Sequence, residues 1–196
     1  MNLAPGTAQV VTVQSRGTHA TVIAWQLEPD GVWRRVLATA AGRVGAHGVV
    51  AGAARRQGTL TTPTGTYTLT QGFGVGPDPG TRMPYHRVGP RDWWVEDPET
   101  RYYNQLRRSD QGGFPLTEDG PRGSEHLVDH PVPYRNALVV DFNRSPAVPG
   151  RGAGIFLHDL GPKGGPTAGC VAVPAPVLTA VLRWATPSQH PEIAIG

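Results

Sequence analysis

The chain has 196 residues and one cysteine, which fits a single domain with a real core and excludes an internal disulfide and every Cys-rich zinc site. Its net charge is +3 and only Lys163 among its 18 basic residues is a lysine; the arginines sit in short scattered pairs such as Arg34-Arg35, Arg55-Arg56 and Arg107-Arg108, without the basic stripe that nucleic-acid binding requires. No apolar run approaches the roughly 20 residues of a membrane span, and Met1 to Gly6 shows neither the basic nor the apolar part of a signal peptide.

The 26 glycines and 20 prolines read as frequent turns between short strands. Residues 1–8 are expected to be a flexible lead-in, with one domain over residues 9–196. Gln9 to Val13, Thr21 to Leu27 and Trp33 to Leu37 carry the β-branched and aromatic content of three meandering strands. Glu28-Pro29-Asp30-Gly31 is the turn between the last two, with Gly31 supplying a positive φ. Thr62-Pro63-Thr64-Gly65 reads as a turn leading into an alternating strand through Leu69, and residues 72–92 as an ordered loop. Trp93-Trp94-Val95 reads as core packing. Ala137 to Phe142 is a nearly continuous apolar run and is expected to be a central strand. Ile155 to His158 and Val171 to Val173 are further strands. Val177, Leu178, Val181, Leu182 and Ala185 recur at helical spacing behind Pro174 and Pro176, which predicts one C-terminal helix stopped by Pro187. Pro191 to Ile195 closes the chain as a strand.

Chemistry concentrates in Ile155-Phe156-Leu157-His158-Asp159 and Thr167-Ala168-Gly169-Cys170-Val171. A histidine ends a buried strand, and a glycine–cysteine pair enters another after a Gly/Pro loop that can fold back. A thiolate is a nucleophile, an adjacent imidazole generates it, and a glycine before it lets main-chain N–H groups approach a developing oxyanion. Taken alone, a single cysteine is more often a buried small hydrophobe, and Gly169 with the strand-terminal His158 brings the two readings level. Asp159 reads either as an orienter of His158 or as an exposed turn residue.

Thr62-Pro63-Thr64-Gly65-Thr66-Tyr67, then His158 behind an apolar strand, then Thr167-x-Gly169-Cys170, resembles the L,D-transpeptidase catalytic domain, the YkuD family, over most of the chain from about Val10 onward. Trp93-Trp94-Val95, Tyr102-Tyr103-Asn104, Glu125-His126-Leu127 and Val139 to Asn143 resemble an actinobacterial branch of it. The resemblance implies a mainly β fold: a YkuD-type β-sandwich with one packed C-terminal helix and long Gly/Pro-rich loops. It also implies Cys170 as the acylated nucleophile, His158 as base, and Gly169 with Cys170 as oxyanion donors. Thr167, Asp159 and His126 are the expected substrate-side residues. Ala168 stands where the family usually has histidine, Ala172 and Val173 where it often has Arg or Asn, and the His-to-Cys loop is shorter than usual.

The implied substrates are peptidoglycan stem peptides, and the implied location is extracellular or cell-wall associated. The implied reaction is acyl transfer to an amine. The rivals are hydrolysis by the same thioester (an L,D-carboxypeptidase) and a non-catalytic wall-binding module. No cofactor is expected. His126 and His130 are four apart, but Pro131 follows at once and no third ligand is evident, so no metal site is expected. A protonated His158 is expected to pull the Cys170 pKa below the free value of about 8.5.

Overall fold

In the computed structural model, which describes residues 2–196, strands dominate and one α-helix of ten residues is present. In chain order they are β1 (Gln9–Arg16), β2 (His19–Leu27), β3 (Trp33–Arg43), β4 (Val49–Ala51), β5 (Thr62–Gly74), β6 (Tyr85–Arg87), β7 (Asp92–Val95), β8 (Gln105–Arg108), β9 (Glu125–His126), β10 (Ala137–Val140), β11 (Phe156–Asp159), β12 (Val171–Val173), α1 (Ala175–Trp184) and β13 (Glu192–Ile195). β1 and β2 pair antiparallel from Gln9 opposite Gln26 to Arg16 opposite His19. Gly31 turns β2 into β3 at φ +79, as the sequence requires.

The main sheet runs β10-β11-β12-β3-β2-β1-β13-β5, and β10 also pairs with β5, so the expected sandwich closes on itself as a barrel-like ring. The two-residue period of each strand then sends alternate side chains inward and outward. Val11, Val22, Leu138, Leu157, Val171 and Ile193 point into one core. Helix α1 lays Leu178, Val181 and Leu182 into that core, each wholly buried and each contributing about 1.5–3 kcal/mol. The helix stops at Trp184, three residues before Pro187, which opens a 3-10 turn.

The outward face of β10 and β11 carries a second core. Ala137, Val139 and Phe156 pack there against Phe73, Trp94, Leu127, Tyr134 and Cys170. Phe156 meets Trp94 and Phe73 edge-on, with ring centroids 4.8 and 4.9 Å apart. A three-stranded sheet, β8-β7-β9, supplies Trp94. The reading of Trp93-Trp94 as core packing agrees with this.

Three elements differ from the sequence expectation. β3 continues from Trp33 to Arg43, because its second half pairs with β2 through two register shifts. The Thr62-Pro63-Thr64-Gly65 segment is the first part of β5, pairing with β4, and not a turn. Residues 72–92 include the end of β5 and the short β6, which lies parallel to it. Ahead of β1, Ala4 N–H and the buried Thr7 hydroxyl both donate to the Glu192 carboxylate, at 3.2 and 3.0 Å.

Candidate functional site

β11 and β12 are parallel neighbours with Leu157 opposite Val171 and His158 opposite Ala172. Leu157 and Val171 point into the barrel core, so the alternation turns Phe156, His158 and Cys170 to the outer face. There His158 and Cys170 line one cavity of about 670 Å³. Both are buried, 8 % and 7 % exposed.

The cysteine is held on a tight turn. The Thr167 hydroxyl donates to the Cys170 carbonyl at 2.7 Å and accepts from Gly169 N–H at 3.1 Å. From the other side the wholly buried Thr62 donates its hydroxyl to the same carbonyl at 3.2 Å and accepts from Gly45 N–H at 2.8 Å. The threonine that opens the Thr-Pro-Thr-Gly segment is therefore a strut behind Cys170. Thr167, expected to touch substrate, lines the cavity while its hydroxyl serves the turn. Gly169 N–H, expected as an oxyanion donor, is engaged by Thr167, whereas Cys170 N–H makes no main-chain bond among the described residues.

Gly169 has φ +151, a conformation open essentially to glycine. A Cβ there would fall 2.6 Å from Nη2 of Arg55, and a Cβ on Gly152 would collide with the same guanidinium. Both glycines make room for Arg55, which is 4 % exposed. Its Nε donates to Thr61 O at 2.8 Å and its Nη1 to Arg151 O at 3.3 Å.

The thiol donates to Gly154 O at 3.2 Å, and its sulfur accepts from Phe156 N–H at 3.3 Å. Burial pushes its pKa up, the nearby Glu125 adds to that, and Arg55 opposes it. His158 Nδ1 lies 2.8 Å from the carbonyl of Asp159. A carbonyl only accepts, so Nδ1 carries the proton and Nε2 is the free base. Burial lowers the His158 pKa to about 4. The resting pair is thus a neutral thiol and a neutral imidazole, with no hydrogen bond between them among the described residues. This corrects the expectation of an imidazolium that depresses the thiol pKa: the dry cavity favours both neutral forms.

Asp159 orients His158 through its main chain alone. Its carboxyl is absent from the cavity lining, lies near Arg135, and is raised by burial to about 6. His126 also stands apart from the cavity. It stacks on Trp93 at 4.4 Å, with Nδ1 on Asp129 and Nε2 on Pro90 O. Its neighbour Glu125 faces the cavity instead, accepting the Tyr134 hydroxyl at 2.7 Å. His130 is bonded to Glu118 at 2.8 Å.

Arg55, Glu96, Glu125 and Tyr134 also line the cavity, and none was singled out from sequence. The only signals were an arginine pair and a glutamate beside a more conspicuous histidine. Asn104, at φ +60, ties these parts together. Its side-chain carbonyl accepts from Trp94 Nε1 and Gly154 N–H, at 2.9 and 3.1 Å, so the aromatic layer positions the loop that receives the thiol.

Residues 28–192 match YkuD, the L,D-transpeptidase catalytic domain. The chain belongs to this family. Solved structures to which it is similar include the helical cell shape determining protein Pgp2 from Campylobacter jejuni and its K307A mutant. The mutant aligns at 15 % identity and TM-score 0.48 over 98 % of this chain and 48 % of its own, and the other structure at 14 % and 0.46 over 96 % and 47 %. The L,D-transpeptidase-family chain therefore spans about half the length of the solved structures it matches. No curated protein matches it.

Proposed function

We propose that this domain is a cysteine acyltransferase acting on peptidoglycan stem peptides, an L,D-transpeptidase. The observation that carries the reading is the placement of His158 and Cys170 on the same face of two parallel strands, at one cavity. As substrate enters, His158 Nε2 takes the thiol proton and the sulfur attacks the amide between the third, diamino residue and a terminal D-alanine. The Cys170 N–H is the main-chain donor to the oxyanion. The imidazolium returns its proton to the leaving amine, and D-alanine departs. An amine from a neighbouring stem then resolves the thioester. Water as acceptor gives a carboxypeptidase from the same intermediate. The substrate lies outside the membrane, so the protein is proposed to act in the extracellular or cell-wall space.

The test is incubation with a tetrapeptide stem and mass analysis of products. Loss of D-alanine with a cross-linked dimer is expected, and Cys170→Ala should abolish it with the fold intact. A folded Cys170→Ala protein with near-normal turnover would remove Cys170 from the mechanism.

A further inference from the structure

Among the groups of the cavity wall, the Arg55 guanidinium and the Glu96 carboxyl do not meet. Arg55 uses Nε and Nη1 on main-chain carbonyls, while its Nη2 has no acceptor among the described residues and lies against Gly169, the residue before the nucleophile. Glu96 is fixed through its main chain: its N–H donates to Ser124 Oγ at 3.0 Å and its carbonyl accepts from Gln57 Nε2 at 2.8 Å. The Glu96 carboxylate rests on Gly154, whose carbonyl receives the thiol, and has neither a hydrogen bond nor an ion pair among the described residues. Glu125, by contrast, has the Tyr134 hydroxyl. Burial pushes Glu96 well above the ordinary carboxylate range, Glu125 adds to that and Arg55 opposes it, so the carboxyl rests protonated until a cation reaches it. A carboxyl without a partner stays neutral in such a site, because an uncompensated charge is costly, and it ionises when a cation docks on it. A guanidinium with a free N–H and a carboxyl that a cation would ionise, held apart beside Cys170, fit a ligand that carries both charges itself.

We propose that Arg55 and Glu96 receive the amine partner of the reaction as an amino-acid zwitterion, its carboxylate on Arg55 Nη2 and its ammonium on Glu96. This rests on the thioester reading above. As the ammonium docks, Glu96 releases its resting proton to solvent; the ammonium then gives one proton to the Glu96 carboxylate, and the freed nitrogen lone pair attacks the thioester carbon. The adduct's nitrogen loses its second proton to His158 Nε2. The carbon–sulfur bond then breaks, with the electron pair going to sulfur and the His158 proton restoring the thiol. Glu96 keeps the first proton until the amide leaves. Arg55 and Glu96 are positioning groups that decide between an amine and water as acceptor.

The experiment offers the Cys170 thioester of the wild-type protein a free amino acid and, separately, its carboxamide, and reads the ratio of transfer to hydrolysis by mass spectrometry. Amidation removes the partner of Arg55 without any mutation, and should lower the ratio about tenfold or more. Arg55→Lys should blunt that discrimination. Glu96→Gln should lower the ratio for both acceptors with Tm equal or higher, since no bond is lost. Equal transfer to the free and amidated acceptor in wild type overturns the proposal and leaves the thioester reading intact. Failure of the wild-type protein to form any thioester overturns both.

Discussion

At the scale of single residues, the decisive fact is that Cys170 and His158 are both held neutral. Burial raises the thiol and lowers the imidazole to about 4. Alkylation by iodoacetamide should therefore be slower near neutral pH than for a free cysteine, and should keep rising past the free thiol value of about 8.5. A profile with its midpoint below that value would mean a resting thiolate–imidazolium pair. Asp159 makes a second test possible. Its folded pKa is raised from 3.8 to about 6, so the folded state holds more protons than the unfolded state in that window, and Asp159 takes stability away as pH rises through it. His158 acts oppositely: its folded pKa is depressed from 6.5 to about 4, so stability is lost as pH falls through that range. The two neighbours offset one another. Asp159→Asn removes one side, and should lose about 1–2 kcal/mol more than wild type as pH falls from about 6 to about 4, after allowance for solvent screening. Parallel pH–stability curves for the two proteins would contradict this.

At the scale of elements, β5 and the turn before β12 act as one support. Thr62 alone links Gly45 N–H to the Cys170 carbonyl. Thr62→Val keeps the shape but leaves the buried Gly45 N–H unsatisfied, with an expected loss of about 1–3 kcal/mol and slower acylation of Cys170. Thr62→Ser should restore both, as read by chemical denaturation and by thioester formation. A valine variant equal to wild type in both would make the strut dispensable. The Thr62 to Tyr67 motif was visible in the sequence, but its job was not: the hydroxyl's partner is 108 residues away. The same distance hid Arg55, Glu96 and Glu125. Each comes from a loop or a two-residue strand with no periodic pattern, and only the folded cavity gathers them. His126 misled for the converse reason, since a histidine is conspicuous in sequence and the glutamate beside it is not.

At the scale of the whole molecule, local patterning made most strands and the single helix legible, because burial on one face imposes a period of two or of 3.6 residues. Closure of the ring by β10 on β5, and the separate sheet that carries Trp94, depend on long-range pairing and leave no such mark. The fold then assigns its two faces different work. The inner face is aliphatic and takes the helix, while the outer face of β10–β12 takes the aromatic layer and the cavity. The central claim, that this cavity performs acyl transfer through Cys170, is tested most directly by a carbapenem. The family resemblance implies a thioester with this class of β-lactam, whose strained carbonyl stands in for the donor amide. Intact-mass measurement should show slow addition of one whole drug molecule, located on the peptide that contains Cys170. An unchanged mass after long incubation, with the thiol still titratable, would contradict the acyltransferase reading and favour a wall-binding module without turnover.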